Sequence, residues 1–88
     1  MIIESSLVFR KVFKKRIAGN EKLIRKFNLR LELFQQNPQH PLLHDHPLTG
    51  TKKGQRAFSI TGDMRVVYQQ VSEDVILLLD IGTHNQVY

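Results

Sequence analysis

Apolar residues change their period partway along the chain, and the change separates a helical front from a stranded back. From about Ser6, the residues Phe9, Val12, Phe13 and Ile17 fall at helical spacing with basic residues on the opposite side, so a first amphipathic helix is predicted there. Ala18-Gly19-Asn20 follows. Gly19 suits a left-handed C-cap and Asn20 the N-cap of a second helix, which makes the turn tight. Leu23, Ile24, Phe27, Leu31 and Phe34 then repeat at threes and fours until Pro38, which cannot continue a helix. The two helices should form an antiparallel hairpin. Ahead of them, "MIIESS" is β-prone and reads as a short strand.

Residues 38–54 show no period and contain all three prolines, two of the five glycines and three of the four histidines, so they read as a long loop. Loops of this length in small domains are usually functional or disordered. After it, "RAFSI", "MRVVYQQV" and "VILLLDI" read as strands separated by the hairpin turns "TGD" and "SED". Three sequential strands predict an antiparallel meander, and the last, apolar on both faces, belongs at the centre of the sheet. The expected class is α+β: an N-terminal strand, then a two-helix hairpin packed on one face of a small antiparallel sheet. Residues 1–88 are read as one domain.

Charge sharpens this picture. The net charge is +5, which suits either an anionic partner, nucleic acid or an acidic protein segment, or a merely solvated basic face. Residues 1–30 contain nine basic residues against two acidic ones, and residues 31–88 contain four against six, so the positive surface belongs to the helices. Without cysteine there is no disulfide framework and no thiolate metal site, which suits a reducing cytoplasm. No leader pattern and no membrane span are read from the sequence. His40, His44 and His46 lie close together, but without helical register and with Asp45 as the one nearby carboxylate, so neither a metal nor another cofactor is expected.

The chemistry gathers elsewhere. The "TGD" turn, the long loop and the tail after the last strand can meet at one end or edge of the sheet, bringing His46, Asp63, His84 and Tyr88 within reach of each other. Arg56 and Arg65 lie on adjacent strands nearby. Such a set suits metal-free RNA cleavage. A base takes the ribose 2′-hydroxyl proton, an acid protonates the leaving 5′-oxygen, and cations stabilise the charged phosphorane. Histidine can fill either proton-transfer role near neutral pH. An aromatic ring gives an unpaired base a surface to stack on. Lys52 and Lys53 are further candidate phosphate contacts.

"DHPLTGTKKGQRAFSITGDMRVVYQ" followed by "LLLDIGTHNQVY" resembles the RelE/ParE superfamily of bacterial toxin–antitoxin toxins, most closely its YafQ-like mRNA interferase branch. Three blocks carry the resemblance: Asp45-His46-x-Leu48-x-Gly50, then Arg56 with Ile60-x-x-Asp63 and Tyr68, then Gly82-Thr83-His84 with the terminal Tyr88. It implies a cytoplasmic endoribonuclease that cuts mRNA on the translating ribosome and is held inactive by a cognate antitoxin. His46, Asp63 and His84 match the branch's acid–base positions, Tyr88 its C-terminal aromatic and Arg56 a basic strand position. Two departures stand out: Ser59 replaces a common histidine, and Met64 replaces a large apolar residue, often tryptophan. A ParE-like toxin acting on DNA gyrase and a catalytically degenerate binding module are the alternatives.

Overall fold

A computed structural model describes residues 1–88. In chain order the elements are β1 (Ile2–Ser5), α1 (Leu7–Arg16), α2 (Glu21–Gln36), β2 (His46–Pro47), β3 (Arg56–Ser59), β4 (Met64–Gln70), β5 (Val75–Thr83) and α3 (His84–Val87). The strands form one five-stranded sheet in the order β1-β5-β4-β3-β2. The fold is α+β with a mixed sheet, because β1 runs parallel to β5 while the other three pairings are antiparallel. The meander and the helical hairpin are as predicted. The parallel strand and the two-residue β2 extend the predicted antiparallel sheet at both edges.

Both long helices begin at side-chain caps. The Ser6 hydroxyl accepts from the Phe9 amide at 3.0 Å, and the Asn20 side chain accepts from the Leu23 amide at 3.1 Å, satisfying donors that a helix start leaves unpaired. Between them, Gly19 does not take the predicted left-handed conformation, since the positive-φ glycines are Gly50 and Gly54. Instead the turn closes through backbone bonds from Ala18 to Phe13 and from Asn20 to Ile17. Phe9, Phe13 and Phe27 join α1 to α2, with ring centroids 5.1–6.1 Å apart. Phe34 then stacks on Phe58 at 4.7 Å and meets Tyr68 edge-on at 5.0 Å, joining α2 to the sheet.

The core faces the helices, and Phe58, Val66, Tyr68 and Leu78 all point into it. The opposite face carries a smaller apolar cluster of Ala57, Val67 and Val87, with Leu48 and Leu79 packed against it. A bulge in β5 helps to build that second cluster. Tyr68 pairs with Leu78 and Val67 with Asp80, which leaves Leu79 as the extra residue.

The long loop is ordered by a clamp. Arg56 Nε donates to Asp45 Oδ1 at 2.7 Å, and the Tyr68 hydroxyl donates to Asp45 Oδ2 at 2.5 Å. The Asp45 side chain is only 8% exposed. A hydrogen bond from a buried tyrosine to a carboxylate is worth about 1.5–3 kcal/mol. The Arg56 contact contributes less, because its side chain is 41% exposed and screened by water. Burial, followed by the bond to Asp45, pushes the Tyr68 hydroxyl pKa well above its ordinary 10.0. The fold therefore favours the neutral phenol. Stability from this group is complete below pH 10 and declines as pH rises further. Denaturant unfolding between pH 9 and 11.5 should show this decline in the wild type and a shallower one in Tyr68→Phe. Equal slopes would mean that the phenol is not coupled to folding.

Candidate active site at the C-terminal turn

Strand alternation positions the first site residue. Consecutive residues of an extended segment point to opposite sides, so the clamp that draws Asp45 toward the helices sends His46 to the other face. His46 Nδ1 lies 2.9 Å from the carbonyl oxygen of His44, which holds a left-handed conformation at φ 48°. A carbonyl only accepts, so Nδ1 is the protonated nitrogen of this contact. In the neutral ring Nε2 is then a free acceptor.

The tail supplies the other rings. The chain does not trail off after β5 but folds back as the single turn α3. Gln86 Oε1 accepts from the Thr83 amide at 2.8 Å, and Val87 is buried at 1% exposure between Ala57 and Val67. Gly82 makes the fold-back possible. A Cβ there would meet Gln86 Oε1 at 2.6 Å and Arg16 Nη1 at 2.8 Å. Arg16 in turn is tied to the Ile81 carbonyl at 2.9 Å and to Asp80 at 3.2 Å. It is thus a staple beneath the turn and not a free member of the basic helix face.

With α3 docked, the Tyr88 hydroxyl lies 3.3 Å from His46 Nε2, and the His84 ring packs edge-on against Tyr88 with centroids 4.5 Å apart. Burial raises the Tyr88 pKa, and the Arg65 guanidinium acts in the opposite direction. At neutral pH the phenol keeps its proton and donates to His46 Nε2. Two titratable imidazoles therefore flank one aromatic ring, with a cation close by. His46, Leu48, Lys52 and Tyr88 line a groove of about 300 Å³ beside them.

Three of the four predicted acid–base and aromatic residues, His46, His84 and Tyr88, come together, and Arg65 and Lys52 border them. Asp63 sits exposed in the β3–β4 turn. The next residue, Met64, pairs with Thr83, which places Asp63 at the same sheet end as His84. Its carboxylate joins neither of the chain's two ion pairs. Lys53 is exposed and does not line the groove. Arg56 is separated from the cluster, because it lies on the helix-facing side bound to Asp45. Its parity with the core residues Phe58 and Ile60 carried that signal in the sequence. Ser59 is 4% exposed and pairs with Arg65, and its hydroxyl is no acid–base group near neutral pH. No three side chains among histidine, aspartate and glutamate gather as metal ligands.

The family model for the bacterial toxin of type II toxin–antitoxin systems, YafQ, matches residues 1–88. The chain belongs to the YafQ toxin family. It is a type II toxin, and such a toxin has an antitoxin partner. No curated protein sequence matches the chain. Among solved structures, a metal-bound toxin from Helicobacter pylori is 28% identical with TM-score 0.74, and the alignment covers 100% of this chain and 99% of that one. YafQ from Escherichia coli strain BL21(DE3) is 24% identical with TM-score 0.76, covering 98% and 96%. A YoeB/ParE toxin from Agrobacterium tumefaciens is 20% identical with TM-score 0.78, covering 96% and 99%. The last two likenesses are ones of fold.

The tail's anchorage is testable by Gly82→Ala. The added methyl displaces Gln86, and the loss of this cap should cost about 0.5–2 kcal/mol. The His84 and Tyr88 ring signals in NMR spectra should lose their mutual nuclear Overhauser contacts while those of the Phe9–Phe13–Phe27 group persist. Retained ring contacts would mean that Gly82 is not what admits the turn.

Proposed function

We propose that this YafQ-family toxin is an endoribonuclease that cleaves mRNA on the translating ribosome in the cytoplasm, by metal-independent attack of the ribose 2′-hydroxyl on the adjacent phosphodiester. The observation that carries the reading is the His46–Tyr88–His84 ring cluster. It sets an imidazole acceptor nitrogen and a second imidazole on either side of an aromatic ring, at the mouth of a groove that Lys52 lines.

In this mechanism His46 Nε2 takes the 2′-hydroxyl proton once substrate displaces the Tyr88 hydroxyl from it. The 2′-oxygen attacks phosphorus and the bond to the 5′-oxygen breaks. His84 delivers the proton that the leaving 5′-oxygen needs, and a cyclic phosphate remains on the upstream fragment. Arg65 and Lys52 balance the charge that develops on the phosphorane. The Tyr88 ring offers a stacking surface to a splayed base. Asp63, beside His84 at the sheet end, orients that imidazole or shares its proton transfer. Lys53 and Arg56 fit peripheral and structural roles better than direct contact, since one is outside the groove and the other is held by Asp45. No helix of the chain is long and apolar enough to cross a membrane, which suits a protein that works on ribosomes.

Induction of the protein alone, beside His84→Ala and a truncation lacking Tyr88, tests the reading directly. Growth should arrest in the wild type, with new mRNA ends mapped on translating ribosomes, and both effects should fall by at least about a hundredfold in the variants. Arrest that survives both changes would point to a target other than RNA, as in the gyrase-directed reading. Folded wild-type protein that causes no arrest would make this copy a binding module.

A further inference from the structure

Beside the ring cluster lies a second depression, of about 480 Å³, between α2 and the β3–β4 turn. Lys26 and Arg30 reach it from α2, His44 from the loop and Arg65 from β4, and Ser59, Thr61 and Gly62 complete most of its wall. Leu42 is its one apolar lining residue and no carboxylate lines it. Lys26 and Arg30 are four apart on one helix, where like charges repel. Neither of them, nor Arg65, takes part in either ion pair of the molecule. The cations therefore converge without a counter-charge from the protein.

Two of the guanidinium groups are already oriented. Arg30 Nη1 donates to the Leu42 carbonyl at 2.7 Å, and Arg65 Nη1 donates to the Thr61 carbonyl at 3.1 Å. Each retains further N–H donors in a planar fork that fits a phosphate. Arg65 also links this depression to the ring cluster, since its charge acts on the Tyr88 hydroxyl.

We infer that this basic depression is a second phosphate subsite, which holds a phosphodiester of single-stranded RNA next to the scissile one. Arg65 is shared between the two positions, and Lys26 and Arg30 fix the register of the strand on the enzyme. The inference rests on the ribonuclease reading above and extends it to the path of the substrate. An acidic protein segment fits less well. Affinity for such a segment depends on buried apolar anchors, and these walls are almost wholly polar.

The probe is a hexanucleotide RNA with 2′-O-methyl groups, which cannot be cleaved, so binding is read independently of catalysis. Fluorescence anisotropy against wild type, Lys26→Ala, Lys26→Ala/Arg30→Ala and the α1 control Lys14→Ala/Lys15→Ala should be recorded across a salt series. Lys26→Ala is included because Arg30 also holds the loop through Leu42. The pocket double variant should bind several-fold more weakly than the control, with a salt slope shallower by about 0.7 for each lost phosphate contact. Lys26→Ala should show part of the same effect with unchanged thermal stability.

Equal losses in the two double variants would overturn the subsite, since the depression would then contribute only general charge. Absence of binding by the wild type would overturn it too. So would a glutamate oligomer of matched charge that binds through Lys26 while the RNA does not, which would reassign the depression to protein contacts. If growth arrest and mRNA cleavage persist in any of these cases, the ribonuclease reading stands and only the subsite falls.

Discussion

The whole candidate site depends on where the Asp45 carboxylate goes. It accepts from Arg56 and Tyr68 on the helix-facing side of the sheet, and its side chain is 8% exposed. A carboxylate removed from water needs such donors, and Asp45 is the one carboxylate of the loop. Because neighbours on an extended chain point in opposite directions, the clamp leaves His46 no choice of side. A structural hydrogen-bond pair on one face thereby sets the His46 imidazole on the other.

The second half of the cluster is anchored independently. Val87 fills a small apolar cluster on the outer face, Gln86 caps the turn it belongs to, and Gly82 leaves room for both Gln86 and the Arg16 staple. A four-residue helix has no stability of its own in water. It persists because Val87 is buried and Gln86 accepts from the Thr83 amide that precedes it. The site thus combines a loop and a chain end, normally the most mobile parts of a domain, and each is tied to the sheet by its own buried anchor. The side chains of His84 and Tyr88 remain exposed between these anchors.

Much of this was legible in the sequence. Apolar periodicity marked both helices and the meander, and the chain order of loop, turn and tail was enough to gather His46, His84 and Tyr88. What escaped was set by pairings that local pattern does not encode. The parallel contact of Ile3 with Ile76 spans most of the chain, and nothing in "MIIESS" announces its direction. Gly19 looked like a left-handed cap by identity, whereas the backbone closed the turn by other bonds. Arg56 was readable as a core-side residue from its parity with Phe58, and Thr83-x-x-Gln86 carries a capping signature that could have marked the final turn. The charged groups of α2 read only as a surface stripe until the fold brought Lys26 and Arg30 opposite Arg65.

The central claim is that the loop clamp presents His46 with Nδ1 protonated and Nε2 open toward Tyr88. Long-range ¹⁵N–¹H NMR of the His46 imidazole near pH 8 tests it most directly. The account predicts the Nδ1–H tautomer in the wild type and a mixture of tautomers in Asp45→Ala. A wild-type ring with its proton on Nε2 would contradict it, because His46 could not then act as the proton acceptor proposed above.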